Sequence, residues 1–345
     1  MRRRRFLALA GATGAGGLAG CTGLFQTRPA YAPPLVKDRP DAVYYPTHVE
    51  QMEMAGVKRK AGYACALTYT YPHRFWLVTG THTKEVAIKS ADTMHVMPVV
   101  WDVVTGRVLP DVNPKLTVTQ DGGSVLSDSP WTMLSQPMGF HYGDNVHLPG
   151  DGRYDVTVHV GAPAAKRTGS LADAPESVSF EFTLEYTESR LNEIPWHKLP
   201  EKKGTRGAVS HMDMEMLPAS AVPTEADLPG SVLGSGRSGD ADVVVTVLDD
   251  ASRFGGGSSK SYLAVSPRSP YNRYLLPMMG LSATVDGETR DLTQTLDPDL
   301  GLHYGTAVGE APGTVTVHVD APPQFARHEG YETAFLDMSD VTVRG

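Results

Sequence analysis

Alternation of apolar and polar residues dominates the chain from about residue 48 to its end. The run Tyr154–Val160, for example, reads YDVTVHV, which places tyrosine and valine side chains on one face and polar side chains on the other. Turn signals rich in glycine, proline and aspartate separate such runs, and we find no long stretch with the 3.6-residue period of a helix. The pattern predicts many short antiparallel strands, arranged as sandwiches of the immunoglobulin type.

The predicted strands fall into two groups. The first group comprises Tyr63–Tyr71, Phe75–Thr79, Glu85–Lys89, Val96–Val104, Lys115–Thr119, Tyr154–Val160 and Val178–Tyr186. The second group comprises Asp242–Leu248, Tyr262–Val265, Leu281–Val285, Gly313–Val319 and Asp340–Val343. We therefore expect an all-β fold with two tandem immunoglobulin-like antiparallel β-sandwich domains, over residues 48–190 and 209–345, joined by a linker at residues 191–208.

The two groups share short phrases, which indicates an internal repeat. His-Tyr-Gly occurs at residues 141–143 and again at 303–305, and Met-Glu-Met occurs at 52–54 and again at 214–216. The separation between the copies is the same in both cases. Two sandwiches of one origin explain this, with the second copy divergent.

The N-terminus has the features of an export signal. The arginines Arg2–Arg5 precede Phe6, and a short apolar segment rich in glycine and alanine ends at Leu18-Ala19-Gly20-Cys21. We expect a twin-arginine-type lipoprotein signal over residues 1–21, with lipidation of Cys21, and a proline-rich tether over residues 22–47. The chain would then be anchored to the cell membrane by lipid and face the extracytoplasmic side.

Composition disfavours several classes of function. The formal net charge of −8 argues against nucleic acid as a partner. The chain has two cysteines, so lipidation of Cys21 would leave Cys65 without a partner for an intrachain disulfide. No activated nucleophile or acid–base pair stands out, and we expect no enzymatic activity.

Soft donor side chains gather in the first half instead. Methionine, histidine and carboxylate side chains cluster in four segments, at residues 48–54, 82–85, 92–97 and 133–147. Thioethers favour soft ions such as Cu(I), imidazole binds copper, zinc and iron alike, and carboxylates suit harder ions. The sequence therefore predicts a metal site for copper and/or iron. The candidate ligands in the first domain are Glu53, His82, Met94, His95, Met133, Met138 and His141.

A further candidate, His328, lies in the second half, in a polar loop before the last strand. The matching place in the first half is Lys166–Gly169, which has no histidine, whereas the second half lacks most of the donors of the first. Each copy therefore holds part of a set. We expect the copies to pack as an intrachain pseudo-dimer in which His328 approaches the donors of the first domain.

At these residues the chain resembles the periplasmic iron-transport proteins of pathogenic bacteria, in a lipoprotein form common in halophilic archaea. The resemblance covers about residues 48–186. It rests on Met52-Glu53-Met54, His82–Glu85, Met97-Pro98 and His141-Tyr142-Gly143-Asp144-Asn145. It implies an immunoglobulin-like sandwich that is often dimeric, copper binding by histidine and methionine, and iron uptake beside a membrane iron permease. By motif position it implies His82 and His141 as ligands, Met133 after a one-residue insertion, and His328 as the late histidine of the family.

Three functions remain open at this point. The first is a membrane-anchored extracytoplasmic protein that captures iron for a permease, with or without a bound copper ion. The second is a copper storage or delivery module, and the third is a structural sandwich pair without metal. The protein could act as a homodimer or as the intrachain pseudo-dimer. Histidine ligation implies that metal affinity falls below about pH 6.5, because protonated imidazole cannot coordinate.

Overall fold

A computed structural model describes residues 33–173, 175 and 177–345, so the predicted signal, Cys21 and the first part of the predicted tether lie outside the described residues. The strands of the first half are β1 (His48–Glu50), β2 (Glu53–Lys60), β3 (Tyr63–Thr70), β4 (Phe75–Thr79), β5 (His82–Val86), β6 (Met94–Asp102), β7 (Lys115–Gln120), β8 (Gly123–Asp128), β9 (Trp131–Ser135), β10 (Gly139–Val146), β11 (Gly152–Gly161), β12 (Lys166–Arg167), β13 (Ser177–Tyr186) and β14 (Trp196–Lys198). A short helix, α1 (Glu188–Asn192), precedes β14.

The strands of the second half are β15 (Ser231–Ser238), β16 (Ala241–Leu248), β17 (Ser261–Arg268), β18 (Gly280–Val285), β19 (Glu288–Asp291), β20 (Thr293–Asp297), β21 (Gly301–Val308), β22 (Thr314–Ala321), β23 (Ala326–Arg327) and β24 (Val341–Arg344). Three single-turn 3₁₀ helices lie at Gly169–Leu171, Glu225–Asp227 and Ser252–Phe254. Among the described residues, no helix is long and apolar enough to cross a membrane.

Two sheets are built mainly from the first half and two from the second. In the first half, an eight-stranded sheet in the order β2-β3-β6-β10-β9-β23-β4-β5 lies with a four-stranded sheet in the order β13-β11-β7-β8. In the second half, a six-stranded sheet in the order β12-β20-β21-β17-β16-β15 lies with a four-stranded sheet in the order β19-β18-β22-β24. Most neighbouring strands run antiparallel, and the prediction of an all-β fold is confirmed.

The predicted alternation explains how the layers pack. On β11 every second residue, from Tyr154 to Val160, is buried, and the residues between them are more exposed. The partner strand β13 has the same period, with buried Phe180 and Phe182 opposite Val158 and Val156. Apolar faces of this kind supply the core, because burying them removes apolar surface from water.

The two halves exchange one short strand each. β23, from the second half, enters the first-half sheet and pairs in parallel with β9, with Ala326 opposite Met133. β12, from the first half, enters the second-half sheet and pairs in parallel with β20, with Lys166 opposite Thr295. The exchange is reciprocal, and each large sheet is therefore completed by the other half of the chain.

Parts of the segments that we expected to be a membrane tether and an interdomain linker belong to the packed structure. Val43 and Tyr44, in the predicted tether, are fully buried, and Tyr44 N–H donates to Gly330 O at 3.1 Å. The predicted linker over residues 191–208 contains β14, which pairs with β1. The sequence signal was misleading here because proline-rich chain without periodicity can lie along a folded surface as readily as it can span a gap.

Candidate metal centre

The centre of the candidate site is one face of three neighbouring strands. β10 pairs with β6 on one side and with β9 on the other. Because side chains alternate along a strand, His141, Gly143 and Asn145 of β10 share one face. Across the ladder, His95 is paired with Asn145 and Met133 is paired with His141, so their side chains lie on that same face.

His328 joins this face from the second half of the chain. It follows β23 directly, and its backbone N–H donates to Leu134 O at 3.0 Å. The residue before it, Arg327, is fully buried, with its guanidinium 5.5 Å and 5.6 Å from the ring centres of Phe325 and Phe335. The bond to Leu134 and the contacts of Arg327 together fix β23. They place the imidazole of His328 beside the donors of the first half.

Three imidazoles converge at this point. One ring nitrogen from each of His95, His141 and His328 lies within 4.8 Å of the others, and all three side chains are buried. Within the part of the chain that the structure describes, the Nε2 atom of each has no hydrogen-bond partner. A buried polar atom left without a partner costs about 1–3 kcal/mol, and such atoms in native proteins usually have a reason. A metal ion bound by all three would supply one.

Hydrogen bonds at the other ring nitrogen set the tautomers of two imidazoles. His95 Nδ1 lies 2.9 Å from Asn145 Oδ1, and His141 Nδ1 lies 3.0 Å from the carbonyl oxygen of Gly139. Both partners are acceptors, so each Nδ1 carries the proton and each Nε2 keeps its lone pair for a ligand. The backbone of His73 holds Asn145 in turn. The backbone N–H of His73 donates to Asn145 Oδ1 at 3.0 Å, and its carbonyl oxygen accepts from Asn145 Nδ2 at 2.7 Å.

Burial keeps these imidazoles neutral. It lowers the pKa of His95 to about 3, with a further contribution from neighbouring His141, and it lowers the pKa of His141 to about 4. The pKa of His328 is well below its usual value, first because of burial and then because of His141 and His95. Neutral imidazole is the form that coordinates metal, so the folded chain presents the site ready for an ion.

Gly143 makes room at the centre of the group. A Cβ atom at this position would lie 2.6 Å from His95 Nε2 and 3.0 Å from Met133 Sδ. These two donor atoms therefore flank the same small space, which any larger residue would fill. The donor set is three imidazole nitrogens with one thioether sulfur beside them, a combination that fits copper well and iron or zinc through the imidazoles.

A fourth histidine, which sequence reasoning did not select, borders the group. The ring centre of His73 lies 4.8 Å from that of His95 and 5.1 Å from that of His328, and both contacts are edge-on. Its Nδ1 lies 3.5 Å from an oxygen of the buried Glu50 carboxylate, whose other oxygen lies 2.7 Å from His48 Nε2. His73 precedes β4 in irregular chain, so alternation gave no signal for the direction of its side chain.

A cavity of about 80 Å³ adjoins this side of the site. It is lined by both His73 and His328, by the carboxylates of Glu50 and Glu329, and by thioethers that include Met138. Burial raises the pKa of Glu50, and this is partly offset by the hydrogen bond from His48. The cavity therefore places carboxylates and thioethers beside two of the imidazoles, His73 and His328.

The structure places four of the sequence-predicted ligands outside the three-histidine group. His82 is exposed on β5, the outer strand of its sheet, where it pairs with Thr79. Glu53 lies on β2 and forms an ion pair with Arg190 at 3.2 Å. Met94 and Met138 both pack in the main hydrophobic core. Met94 neighbours His95 along β6, and alternation turns its side chain to the opposite face.

The second half contains the counterpart of this site in a different form. His303 stands on β21 as His141 stands on β10, and its Nδ1 lies 3.0 Å from Gly301 O, as His141 Nδ1 lies 3.0 Å from Gly139 O. Tyr262 is paired with Ala307, just as His95 is paired with Asn145. The hydroxyl of Tyr262 lies 3.1 Å from His303 Nε2, so this imidazole has a partner.

The remaining counterparts are threonines. Thr295 faces His303 across the β20–β21 ladder, where the first half has Met133 facing His141. Thr168 follows β12 as His328 follows β23, and its hydroxyl donates to Asp297 Oδ2 at 2.7 Å. The second half therefore keeps one of the three imidazoles and satisfies it with a hydroxyl.

Comparisons with known proteins agree with the position of this site. Residues 90–190 match the sequence model of a family described as Fe2+ transport protein, and residues 226–344 match that of a domain of unknown function. No curated protein matches the chain.

Solved structures with some similarity include FetP of uropathogenic Escherichia coli strain F11, with 16% identity over 40% of this chain and 97% of that one. A copper-bound variant of FetP has 16% identity over 40% of this chain and 93% of that one. Copper-reconstituted P19 of Campylobacter jejuni has 15% identity over 41% and 96%. The TM-score is 0.31 in each case.

The family match covers the strands that carry most of the site. His95, Met133, His141 and Asn145 all lie between residues 90 and 190, whereas His328 lies within the second match. The resemblance to iron-transport proteins that the motifs suggested is thereby confirmed over residues 90–190, which match the Fe2+ transport protein family.

Proposed function

We propose that this chain is an extracytoplasmic metal-binding protein of iron uptake, which binds a copper or iron ion through His95, His141 and His328. The observation that carries the proposal is the convergence of three buried Nε2 atoms, none with a hydrogen-bond partner among the described residues. The match of residues 90–190 to an iron-transport family supports the process. In this role the chain would pass iron to a membrane permease while a lipid on Cys21 holds it at the membrane.

The donor set supports copper as the ion that stays in the site. Imidazole accepts both copper and iron, but the thioether of Met133 adds a soft donor that favours Cu(I). A copper ion held there would supply redox chemistry or a fixed positive charge beside the cavity. The carboxylates of Glu50 and Glu329, which line that cavity, are the harder donors that suit iron.

Copper storage or delivery is the second candidate function, and the thioether of Met133 favours it. A soft donor beside three imidazoles binds copper in either oxidation state, with no need for an iron cargo. The third function considered, a structural pair without metal, leaves the three unpartnered Nε2 atoms unexplained. It would also have to account for the cost of burying them.

Iron accumulation in the native host tests the proposal. A host lacking the gene is complemented with the wild-type chain, with His141→Ala, or with His303→Ala as the matched control from the second half. We expect iron uptake under limitation to fall to the level of the deletion strain with His141→Ala and to stay at the wild-type level with His303→Ala. If uptake is unchanged and loading of extracytoplasmic copper enzymes falls instead, copper delivery is the function.

A further inference from the structure

A second cavity shares Pro137 and Met138 with the cavity beside the histidine centre. Its volume is about 10 Å³, which is close to the space that one water molecule or ion occupies. Three of the residues that line it are methionines, Met138, Met212 and Met214, and a fourth is His211. Three methionines and a histidine thus line a space of the size of a single ion, and the rest of the lining is Val99, Pro137, Leu217 and Pro218.

Hydrogen bonds fix the segment that brings these side chains together. Met212 N–H donates to Pro137 O at 2.7 Å, directly beside Met138. Val209 N–H donates to the side-chain oxygen of Gln136 at 2.8 Å, which ties the same segment to the same turn. Met214 lies in a turn of its own, closed by a bond from Leu217 N–H to its carbonyl oxygen at 2.8 Å. These bonds fix the backbone of the segment beside Met138 before any ion binds.

The tautomer of His211 leaves a nitrogen free for coordination. The hydroxyl of Tyr274 donates to Gln136 O at 2.8 Å, so its proton is already committed. His211 Nδ1 lies 2.9 Å from that hydroxyl and must therefore be the donor. Its Nε2 then keeps a lone pair, and partial burial lowers the pKa of the imidazole, which keeps it neutral.

We propose that Met138, His211, Met212 and Met214 form a second metal site, selective for soft monovalent ions such as Cu(I). Thioether sulfur binds soft ions in preference to Fe(II) or Zn(II), and three of the four donors are thioethers. This site goes beyond the function proposed above, which does not require it. Met138 lines both cavities, so the second site adjoins the cavity that His328 and His73 border.

The repeated Met-Glu-Met motif is consistent with this position. In the first copy Met52 lines the cavity beside the histidine centre, and in the second copy Met214 lines the smaller cavity. The first methionine of each motif therefore lines a cavity that Met138 also lines. The last methionine of the second motif, Met216, is 55% exposed and does not line the cavity.

Cu(I) titration in a chain without the histidine centre tests this site directly. The full chain with His141→Ala and His328→Ala is titrated with Cu(I) under anaerobic reducing conditions against a chromophoric Cu(I) chelator. We expect this parent to bind one Cu(I). Adding Met212→Leu and Met214→Leu should weaken the remaining affinity at least about 10-fold, because leucine keeps the volume and removes the sulfur. The control, Met216→Leu in the same parent, should bind as the parent does.

Two results would overturn the second site: a parent that binds no Cu(I), or leucine variants that bind as tightly as the parent. Circular dichroism and thermal unfolding confirm that each variant is folded. Methyl signals of labelled methionine in the wild-type chain give an independent measure, since Ag(I), a redox-inert stand-in, should shift those of residues 138, 212 and 214. Cu(II) binding by the wild-type chain reports on the histidine centre, so failure of one site is distinguishable from failure of the other.

Discussion

The two halves of this protein share one scaffold and differ at the few positions that surround one shared histidine. His141 and His303 occupy matching places, with the same bond from Nδ1 to the carbonyl two residues earlier. In the second half Nε2 of that histidine lies 3.1 Å from the Tyr262 hydroxyl, whereas in the first half it has no partner among the described residues. The comparison shows that the shared histidine belongs to the scaffold, and that its neighbours decide whether its Nε2 has a hydrogen-bond partner.

The strand exchange makes these neighbours a property of the whole chain. The first-half site is completed by His328 from the second half, and the second-half position is completed by Thr168 from the first. A dimer of identical copies would hold two equal sites. Because the two halves are one chain, the surroundings of His303 can change while those of His141 keep their donors. In this chain the imidazoles gather around His141.

The two single variants His141→Ala and His303→Ala should show the largest difference in metal affinity. We expect His141→Ala to weaken Cu(II) binding by at least about 100-fold, because it removes a direct ligand, and loss of even an outer contact often costs 10–100-fold. His303→Ala should leave the affinity within about 2-fold, since that nitrogen already has a hydroxyl partner. Competition titration of both variants is the measurement. Equal losses would contradict the assignment of the site to the first half.

Rebuilding the second half should add a second site. The variant Tyr262→His, Thr295→Met and Thr168→His supplies the counterparts of His95, Met133 and His328 around the existing His303. We expect the Cu(II) content to rise from one to two ions per chain, with the new site about 10-fold or more weaker because Ala307 cannot orient the new imidazole as Asn145 does. Elemental analysis after dialysis gives the ratio. A ratio that stays at one would mean that these side chains do not suffice.

Asn145 should have a smaller effect than a direct ligand. Its amide oxygen accepts from His95 Nδ1 at 2.9 Å and fixes the tautomer, so Asn145→Ala is expected to weaken metal binding about 10- to 100-fold. Asn145→Asp keeps the acceptor and should recover most of the affinity. If both variants bind equally weakly, then the amide acts through the bonds to the His73 backbone and not through His95.

The pH dependence of metal affinity should be a smaller effect, and the structure predicts a different one from the loss below about pH 6.5 that the sequence alone suggested. Burial lowers the pKa of His95 to about 3 and of His141 to about 4. In the folded chain both are therefore neutral well below pH 6.5, and we expect metal affinity to change little between about pH 7 and about pH 5. Competition titration across this range measures it, and a steep loss beginning near pH 6.5 would contradict it.

The stability of the metal-free chain should depend on pH between about pH 6.5 and about pH 4. The unfolded chain binds protons at histidine below about pH 6.5, whereas His303 in the folded chain does so near pH 4. Lowering the pH through this window therefore lowers the free energy of unfolding, by up to about 1.4 kcal/mol per pH unit for each such histidine. The variant His303→Gln should lose the contribution of His303 to this change in the free energy of unfolding, which denaturant unfolding at several pH values measures. Its metal affinity should be unchanged.

The fold class was predictable because the pattern that indicates a strand depends only on residues close together in the sequence. Alternation such as that of Tyr154–Val160 depends on neighbouring residues alone, and the structure has β11 there. The limits of the folded part were harder to predict. Val43 and Tyr44 are buried by contacts with distant segments, and a proline-rich composition says nothing about such contacts.

The candidate site was predictable where the two copies could be compared. The place of His328 beside the first-half donors follows from the difference between the copies, and the structure brings it to His95 and His141. The choice of His82 rested on the clustering of donors along the chain and on the resemblance, yet an exposed residue of an outer strand lies away from this face. His73 gave no signal, because its position depends on bonds to Asn145 that only the folded chain makes.

The number of imidazole nitrogens bound to one copper ion tests the central claim most directly. Pulsed electron paramagnetic resonance of the Cu(II)-loaded full chain counts them, and we expect three, with one copper per chain. His328→Ala should reduce the count to two, because that imidazole comes from the exchanged strand. An unchanged spectrum with the His328→Ala chain would contradict a centre shared between the two halves.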